Sequence, residues 1–440
     1  MKQFLLLQNG AGFKCALLTA LILFISTTYS FAKNVEGNVV KVTGDQGHWA
    51  LTVNGQEFYI KGVGVGHALS DDKKTDFLKL AKNMGANAVR TWGISQATKD
   101  YLDQAKSYGL LVDVGFWLNP VHPDGTCSYA TDHSYRDKVR QEVLTYIKKY
   151  RNHPAVLAWN IGNETIYWTQ DEKERIAFVQ FLEKLIKEVH RIDPNHPVIY
   201  TSAYLTDFDY IAQYVPSLDI LGINVYGAVR QTHAQILSQQ KIPIIFTEFG
   251  PPGPWALAKD VNDRPLELND QEKADFYSWE TAAIFEKKGY NLGGFAFFLG
   301  ETTQVSLTWW NLNFGDTRKL SFLKIKDLYT ATSSKASYPF LKSMSLSKEN
   351  NIHPGEDVEV ALDASGGARG ISYAYIASTE FDSSLVENPN QRISLTFDIH
   401  DNKAILTAPI TPGIYRIYGI ISDEQGNYTS TISRTIHVVK

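Results

Sequence analysis

The chain has 440 residues, a hydrophobic content of 44%, a charged content of 20% and a formal net charge of −4. It is too long for one small domain and long enough for a barrel of ordinary size with a satellite domain. A mildly acidic chain without a basic stripe argues against a nucleic-acid partner.

Read in chain order, the first 32 residues stand apart from any fold. Lys2 and Lys14 precede an apolar stretch, 16–25, and Ser30-Phe31-Ala32 closes the segment as an A-x-A-like cleavage site. The apolar stretch is too short to span a bilayer, so 1–32 reads as a secretory signal rather than an uncleaved anchor. The mature chain is then expected to be secreted or periplasmic, with no membrane span after signal cleavage. Cys15 lies in that segment, which leaves Cys127 alone and no internal disulfide.

After lead-in strands over 33–57, apolar β-type runs alternate with amphipathic stretches. The strand candidates are Phe58–Val63, Ala86–Thr91, Leu110–Phe116, Val156–Ile161, Pro197–Thr201, Ile220–Val225, Ile242–Thr247 and Gly294–Phe298. Helical spacing marks Asp72–Met84, Tyr135–Tyr150, Glu172–Arg191 and Gln271–Lys287. Val156–Ile161 and Ile242–Phe246 are apolar without alternation, as strands buried on both faces are. Eight strands, each followed by a helix or a stand-in, predict an α/β fold, a (β/α)8 TIM barrel over 58–335. An open doubly wound sheet is the alternative, but no glycine-rich phosphate turn joins a strand to a helix. Beyond Ser333–Tyr338 the pattern changes to short alternating strands at Val358–Val360, Ile393–Ile399, Ile414–Ile421 and Thr431–Val439. Turn signals such as Pro354-Gly355 and Pro412-Gly413 separate them, so 336–440 is expected to form a small C-terminal all-β sandwich of immunoglobulin or fibronectin type.

Two of the barrel runs, 157–164 and 244–250, deliver glutamates, Glu164 and Glu248, at their C-terminal ends. Burying a carboxylate is costly unless it is paired. The C-terminal rim of a barrel is where its chemistry sits, and two carboxylates meeting there are the equipment of a glycosidase.

The run from His153 to Glu164 (HPAVLAWNIGNE) closely resembles the fourth-strand signature of family-2 glycoside hydrolases, within the clan of retaining barrel glycosidases. Ile60-Lys61-Gly62-Val63 followed by His67, Asn87–Thr91, Arg191–Pro194, Asp219–Tyr226 and Pro243–Gly250 resemble further segments of that family, in the same order. Two departures stand out. The small sandwich follows the barrel instead of preceding it, and the eighth strand reads Gly293–Phe298 where the family usually ends in a Trp-Asp pair.

The resemblance implies Glu164 as acid/base and Glu248 as nucleophile, with Asn163 bonding the sugar 2-hydroxyl. Arg90 is the cation expected to keep one carboxylate ionised, and Tyr226 a further donor to Glu248. His67 is expected either to face substrate or to be a hydrogen-bonded core histidine. The implied activity is a retaining β-glycoside hydrolase cutting β-linked oligo- or polysaccharide without a cofactor. A transglycosylase would use the same residues, and a non-catalytic carbohydrate-binding barrel is the rival from another class, although it has little reason to keep both glutamates. His122, Asp124, Cys127 and His133 crowd one loop in no zinc-like spacing, so no metal is expected. Trp117, Trp168, Trp255, Trp309 and Trp310 follow barrel strands and are either sugar platforms or loop core. The terminal sandwich is read first as a scaffold packed on the barrel and second as a polysaccharide binder. Nothing in the sequence fixes an oligomeric state.

Overall fold

The lead-in residues form a three-stranded antiparallel sheet of β1 (Val40–Thr43), β2 (Ala50–Val53) and β3 (Gln56–Glu57). Val40 and Leu51 bury their side chains with Ile60, Ala88, Leu157, Ile199, Ile220, Ile245 and Leu292, which stopper the N-terminal end of the barrel. The structure, a computed structural model, describes residues 37–203, 205–237, 241–301, 305–334, 337–366, 370–380 and 391–440. The expected signal at 1–32 lies outside them.

The barrel strands are β4 (Ile60–Val65), β5 (Ala88–Arg90), β6 (Leu111–Phe116), β7 (Val156–Asn163), β8 (Val198–Ser202), β9 (Ile220–Tyr226), β10 (Ile244–Gly250) and β11 (Asn291–Leu299). All neighbours are parallel, and β11 pairs with β4 to close the cylinder. Every residue of β7 and β10 is buried, as their unbroken apolar runs require. Outside lie α1 (Phe77–Asn83), α2 (Lys99–Ser107), α3 (His133–Tyr150), α4 (Thr165–Trp168), α5 (Glu172–Ile192), α6 (Phe208–Tyr214), α7 (Val229–Ile236), α8 (Asp270–Glu286) and α9 (Leu320–Thr330). Local chemistry sets their ends. Asp171 caps α5 by accepting from Glu174 N, and Asn269 with Glu272 forms a full capping box on α8. Among the described residues no helix is long and apolar enough to cross a membrane.

Two expected boundaries are corrected. The helix expected from Asp72 begins at Phe77, because Asp72 accepts from the Ser70 hydroxyl and Lys74 N and so closes a turn. Asp76 is the actual cap. The strand expected over Ile393–Ile399 is two pieces.

After the small hairpin of β12 (Asn313–Phe314) and β13 (Thr317–Arg318), the chain builds two four-stranded antiparallel sheets. One has the order β14 (Phe340–Leu346), β15 (Asp357–Ser365), β19 (Lys403–Thr407), β18 (Phe397–His400). The other runs β17 (Arg392–Ile393), β16 (Ile371–Thr379), β20 (Gly413–Asp423), β21 (Thr429–Val438). The break between β17 and β18 is where the chain leaves one sheet for the other. Leu341, Val358 and Leu362 of the first sheet bury against Ile417, Ile432 and Ile436 of the second, a sandwich core.

The sandwich packs on the barrel through buried polar groups. Ser433 Oγ donates to Glu267, Thr431 N to Asp270 (3.0 Å), and Arg416 Nη2 to Pro265 O (3.2 Å) while also pairing with Glu380. Lys273 and Lys319 complete the charge balance on Glu267 and Asp270. The scaffold reading of this region thus has direct contacts behind it.

Candidate active site

Glu164 follows the last residue of β7 with a left-handed φ of 57°. Gly162, two residues earlier, has φ 92°, where a Cβ would sit 3.1 Å from the Tyr200 ring. Non-glycine residues seldom adopt positive φ, and such geometry concentrates at functional sites. The Glu164 backbone N–H is anchored on Thr201 O (2.8 Å). On β10 the pairing with β9 slips between Phe246 and Glu248, a bulge that re-aims the side chains after it.

Three donors converge on Glu248, which is 6% exposed. Arg90 Nη1 and Trp92 Nε1 both reach Oε1 at 2.7 Å, and the Tyr226 hydroxyl donates to Oε2. Burial and the Glu248 charge push the Tyr226 phenol well above its ordinary value, so it stays a donor. Arg90 is buried at the end of β5 and donates through Nη2 to Asn163 Oδ1 (2.8 Å), with its guanidinium carbon 5.3 Å from the Trp92 ring. Its Nε lies 3.7 Å from Asp113 Oδ2. Burial raises the Asp113 carboxyl to about 6, opposed by Arg90 and by a hydrogen bond from Asn160.

Glu164 has a different environment. Asn224 Nδ2 reaches Oε1 at 2.6 Å and Trp168 Nε1 reaches Oε2 at 2.9 Å. Burial, followed by the nearby Glu248 charge, raises this carboxyl to about 7, although both donors and Arg90 pull it down. Asn224 is itself oriented by Thr247 Oγ1, which donates to its Oδ1 (2.9 Å), and its Nδ2 also reaches Asn163 Oδ1 (3.3 Å). A single hydrogen-bonded chain therefore runs from Glu248 through Arg90, Asn163 and Asn224 to Glu164.

Of the residues named from sequence, Glu164, Glu248, Arg90, Asn163 and Tyr226 are brought together. His67 is not among them: it is exposed on the loop after β4 and no core histidine. Trp92, Asn224 and Asp113 were missed as site residues, and Trp168, named only as a sugar platform or loop residue, was missed as a hydrogen-bond partner of Glu164. Asn224 lies two residues before Tyr226 on β9, so strand alternation carried its signal, whereas Trp92 lies past the end of β5, where no strand period reaches it. Trp309 and Trp310 are buried, whereas Trp117, Trp168 and Trp255 are about half exposed or more. Phe297, Phe298, Trp310 and Tyr226 form an aromatic wall beside Trp92, with a cis peptide between the two phenylalanines. Asp124 caps its own turn through Thr126, and among the described residues no group of metal-ligating side chains converges.

Two differently held glutamates on the rim of a closed parallel barrel are a pair of the kind that glycoside hydrolysis uses. Residues 41–252 match the family described as glycosyl hydrolases family 2, TIM barrel domain. Over that stretch the barrel is similar to those of family-2 glycoside hydrolases. The chain is 25% identical over 276 residues to beta-mannosidase A of Emericella nidulans, an alignment covering 60% of this chain and 25% of that protein. It is 27% identical over 222 residues to the beta-glucuronidase of Rattus norvegicus, covering 45% of this chain and 32% of the relative. The chain thus spans about a quarter of the length of the β-mannosidase it matches. Among solved structures, an FMN-binding beta-glucuronidase from Facaelibacterium prausnitzii superposes with a TM-score of 0.51 at 16% identity, over 91% of this chain and 59% of that one. A family-2 beta-galacturonidase from Eisenbergiella tayi gives 0.52 at 16% identity, over 67% and 54%. These two likenesses concern the fold.

Proposed function

We propose that the chain is a β-glycosidase that cleaves β-linked carbohydrate with retention of anomeric configuration, through a covalent glycosyl-enzyme. The observation that carries this is the asymmetry of the pair. Glu248 accepts from three donors and has none of its own, the form of carboxylate a nucleophile needs. Glu164, raised to about 7, keeps a proton to give near neutrality. In the first step Glu248 attacks the anomeric carbon while Glu164 protonates the departing glycosidic oxygen. In the second, Glu164 as carboxylate takes a proton from water, which attacks the same carbon and releases Glu248. Asn163 spends its carbonyl on Arg90 and Asn224, which leaves its amide N–H groups for the sugar 2-hydroxyl.

The test is trapping. A panel of 2,4-dinitrophenyl 2-deoxy-2-fluoro-β-glycosides should yield one enzyme species heavier by the fluorosugar, mapped to the peptide holding Glu248. A label elsewhere, or product of inverted configuration by NMR, overturns the reading. We further propose export with removal of 1–32; N-terminal sequencing of the protein recovered outside the cytoplasm should begin at Lys33.

A further inference from the structure

The group that leaves when the glycosidic bond breaks departs on the side of the acid/base, because its oxygen takes the proton from Glu164. A solvent-exposed group that borders Glu164 and not Glu248 is therefore placed to meet the leaving group, whereas Asn224, the other neighbour of Glu164, is buried. Trp168 is in that position. Its indole N–H is fixed on Glu164 Oε2 at 2.9 Å, yet the residue remains 46% exposed. Glu248, by contrast, is enclosed by Trp92 and Tyr226.

The setting of Trp168 is built rather than incidental. It ends α4, whose first residue, Thr165, donates through Oγ1 to Leu118 O (2.8 Å). Ile166 N donates to the Tyr200 hydroxyl (3.0 Å), and Val121 N donates to Thr169 Oγ1 (3.1 Å). The bond to Tyr200 ties the segment 165–169 to β8, and the other two clamp it to the loop that carries Trp117, itself 52% exposed. Tyr167, 48% exposed, stands edge-on to Trp168 with ring centroids 5.1 Å apart. Large aromatic faces left in water are unfavourable, and the C–H face of a pyranose in a β-linked chain is a natural cover for them.

We propose that Trp168, with Trp117 from the loop to which its segment is hydrogen-bonded, forms a leaving-group-side subsite that takes a sugar unit of a β-linked glycan chain. The inference rests on the β-glycosidase reading and narrows its substrate to oligo- or polysaccharide, as opposed to a single sugar on a small alkyl or aryl group. One indole thus serves twice: its edge orients the acid/base and its face receives the sugar that Glu164 releases. The same subsite admits an incoming sugar to the glycosyl-enzyme, as a transglycosylase requires.

The experiment uses the full-length enzyme, Trp168→Ala and Trp168→Phe. The probes are the β-1,4-mannan, β-1,4-glucan, β-1,3-glucan and β-1,4-galactan hexasaccharides and a 2,4-dinitrophenyl β-glycoside. At least one hexasaccharide should bind the parent and quench its tryptophan fluorescence. Trp168→Ala should weaken that binding by about tenfold, the scale of one aromatic contact. It should also lower kcat/KM for the hexasaccharide about tenfold more than for the aryl glycoside. Trp168→Phe keeps a ring but loses the N–H, so it should restore most of the affinity. Its alkaline activity limb should move to higher pH, because the donor that lowers the Glu164 pKa is gone. The proposal is overturned if no hexasaccharide binds the parent, if Trp168→Ala binds it as tightly, or if both substrates lose activity equally with no shift of the limb. Trapping of Glu248 by a fluorosugar is independent of Trp168, so its success or failure reports on the β-glycosidase reading alone.

Discussion

Glu164 is held in a state that costs the fold stability. Its carboxyl titrates near 7 in the folded chain and near its ordinary value when unfolded. Between those values the folded state binds the extra proton, so stability falls as pH rises through the interval and the full cost is present above it. Glu164→Gln removes the term, and the variant should be more stable than the parent by roughly 1–3 kcal/mol at pH 8, with the difference vanishing below about pH 4. Urea melts of both proteins at the two pH values check this; an equal difference at both would mean the carboxyl is not perturbed. Activity on substrates with poor leaving groups should decline above about pH 7 as the donor proton is lost. The two glutamates also separate by rescue. Glu248→Ala with azide should give an α-glycosyl azide through the vacated face, and Glu164→Ala with azide a β-glycosyl azide, read by NMR on an activated aryl glycoside. Products of the same anomeric form would reverse the roles. Glu164, Glu248, Arg90, Asn163 and Tyr226 were legible because each sits at the end of an apolar run that had to be a barrel strand. Trp168 was legible only as one of several tryptophans after barrel strands; its bond to Glu164 was not, since it depends on the left-handed φ of Glu164 and the short α4 that follows, neither of which composition reveals.

At the scale of elements, α8 does more than cover the barrel. The Tyr277 hydroxyl donates to Trp310 O (2.8 Å) and to Phe297 O, tying the helix to two strips of the aromatic wall. Trp310 lies 5.1 Å from the Tyr226 ring, and Tyr226 donates to Glu248. Tyr277→Phe leaves two buried carbonyls without this donor, so a loss of about 1–3 kcal/mol is expected. A fall in kcat should accompany it although the Tyr277 hydroxyl bonds Phe297 O and Trp310 O and neither glutamate; unchanged kcat in a destabilised variant would show that the wall does not position Tyr226. The long strands and helices of the barrel were readable because burial on one stripe or on both faces imposes a period. The short α2, α6 and α7 were not singled out, and Phe340–Leu346, Ile371–Thr379 and Lys403–Thr407 escaped notice as strands. Their burial alternates but their residue types do not follow it: exposed Ala374 stands between Tyr373 and buried Tyr375, and exposed Ile405 between buried Ala404 and Leu406. The sheet switch at 394–396 has no local marker, because it is dictated by which partner strand each half meets.

Across the whole molecule, the sandwich and barrel share an interior of paired charges. Arg416, from β20, is 1% exposed and spans Glu380, Ser433 Oγ and Pro265 O. Glu267 accepts from Lys273, Thr308, Ser306 and Ser433, and the three neighbouring cations hold its carboxyl near 2 against the pull of burial. Thr308 immediately precedes Trp309 and Trp310, so this network sits behind the wall of the site. Arg416→Met leaves Glu380 buried without its partner, a change that typically costs about 3–5 kcal/mol. Replacing both members, Arg416→Met with Glu380→Leu, removes the orphaned charge and should recover most of that loss. Thermal melts give the stability terms. kcat on the activated glycoside gives a second reading, expected to drop in the single variant and rise again in the double one if the sandwich positions the 306–310 segment. Should the double variant regain stability but not kcat, the guanidinium itself, through Ser433 and Pro265, would be what holds that segment in register. If neither variant alters kcat, the sandwich stabilises the barrel without shaping its rim.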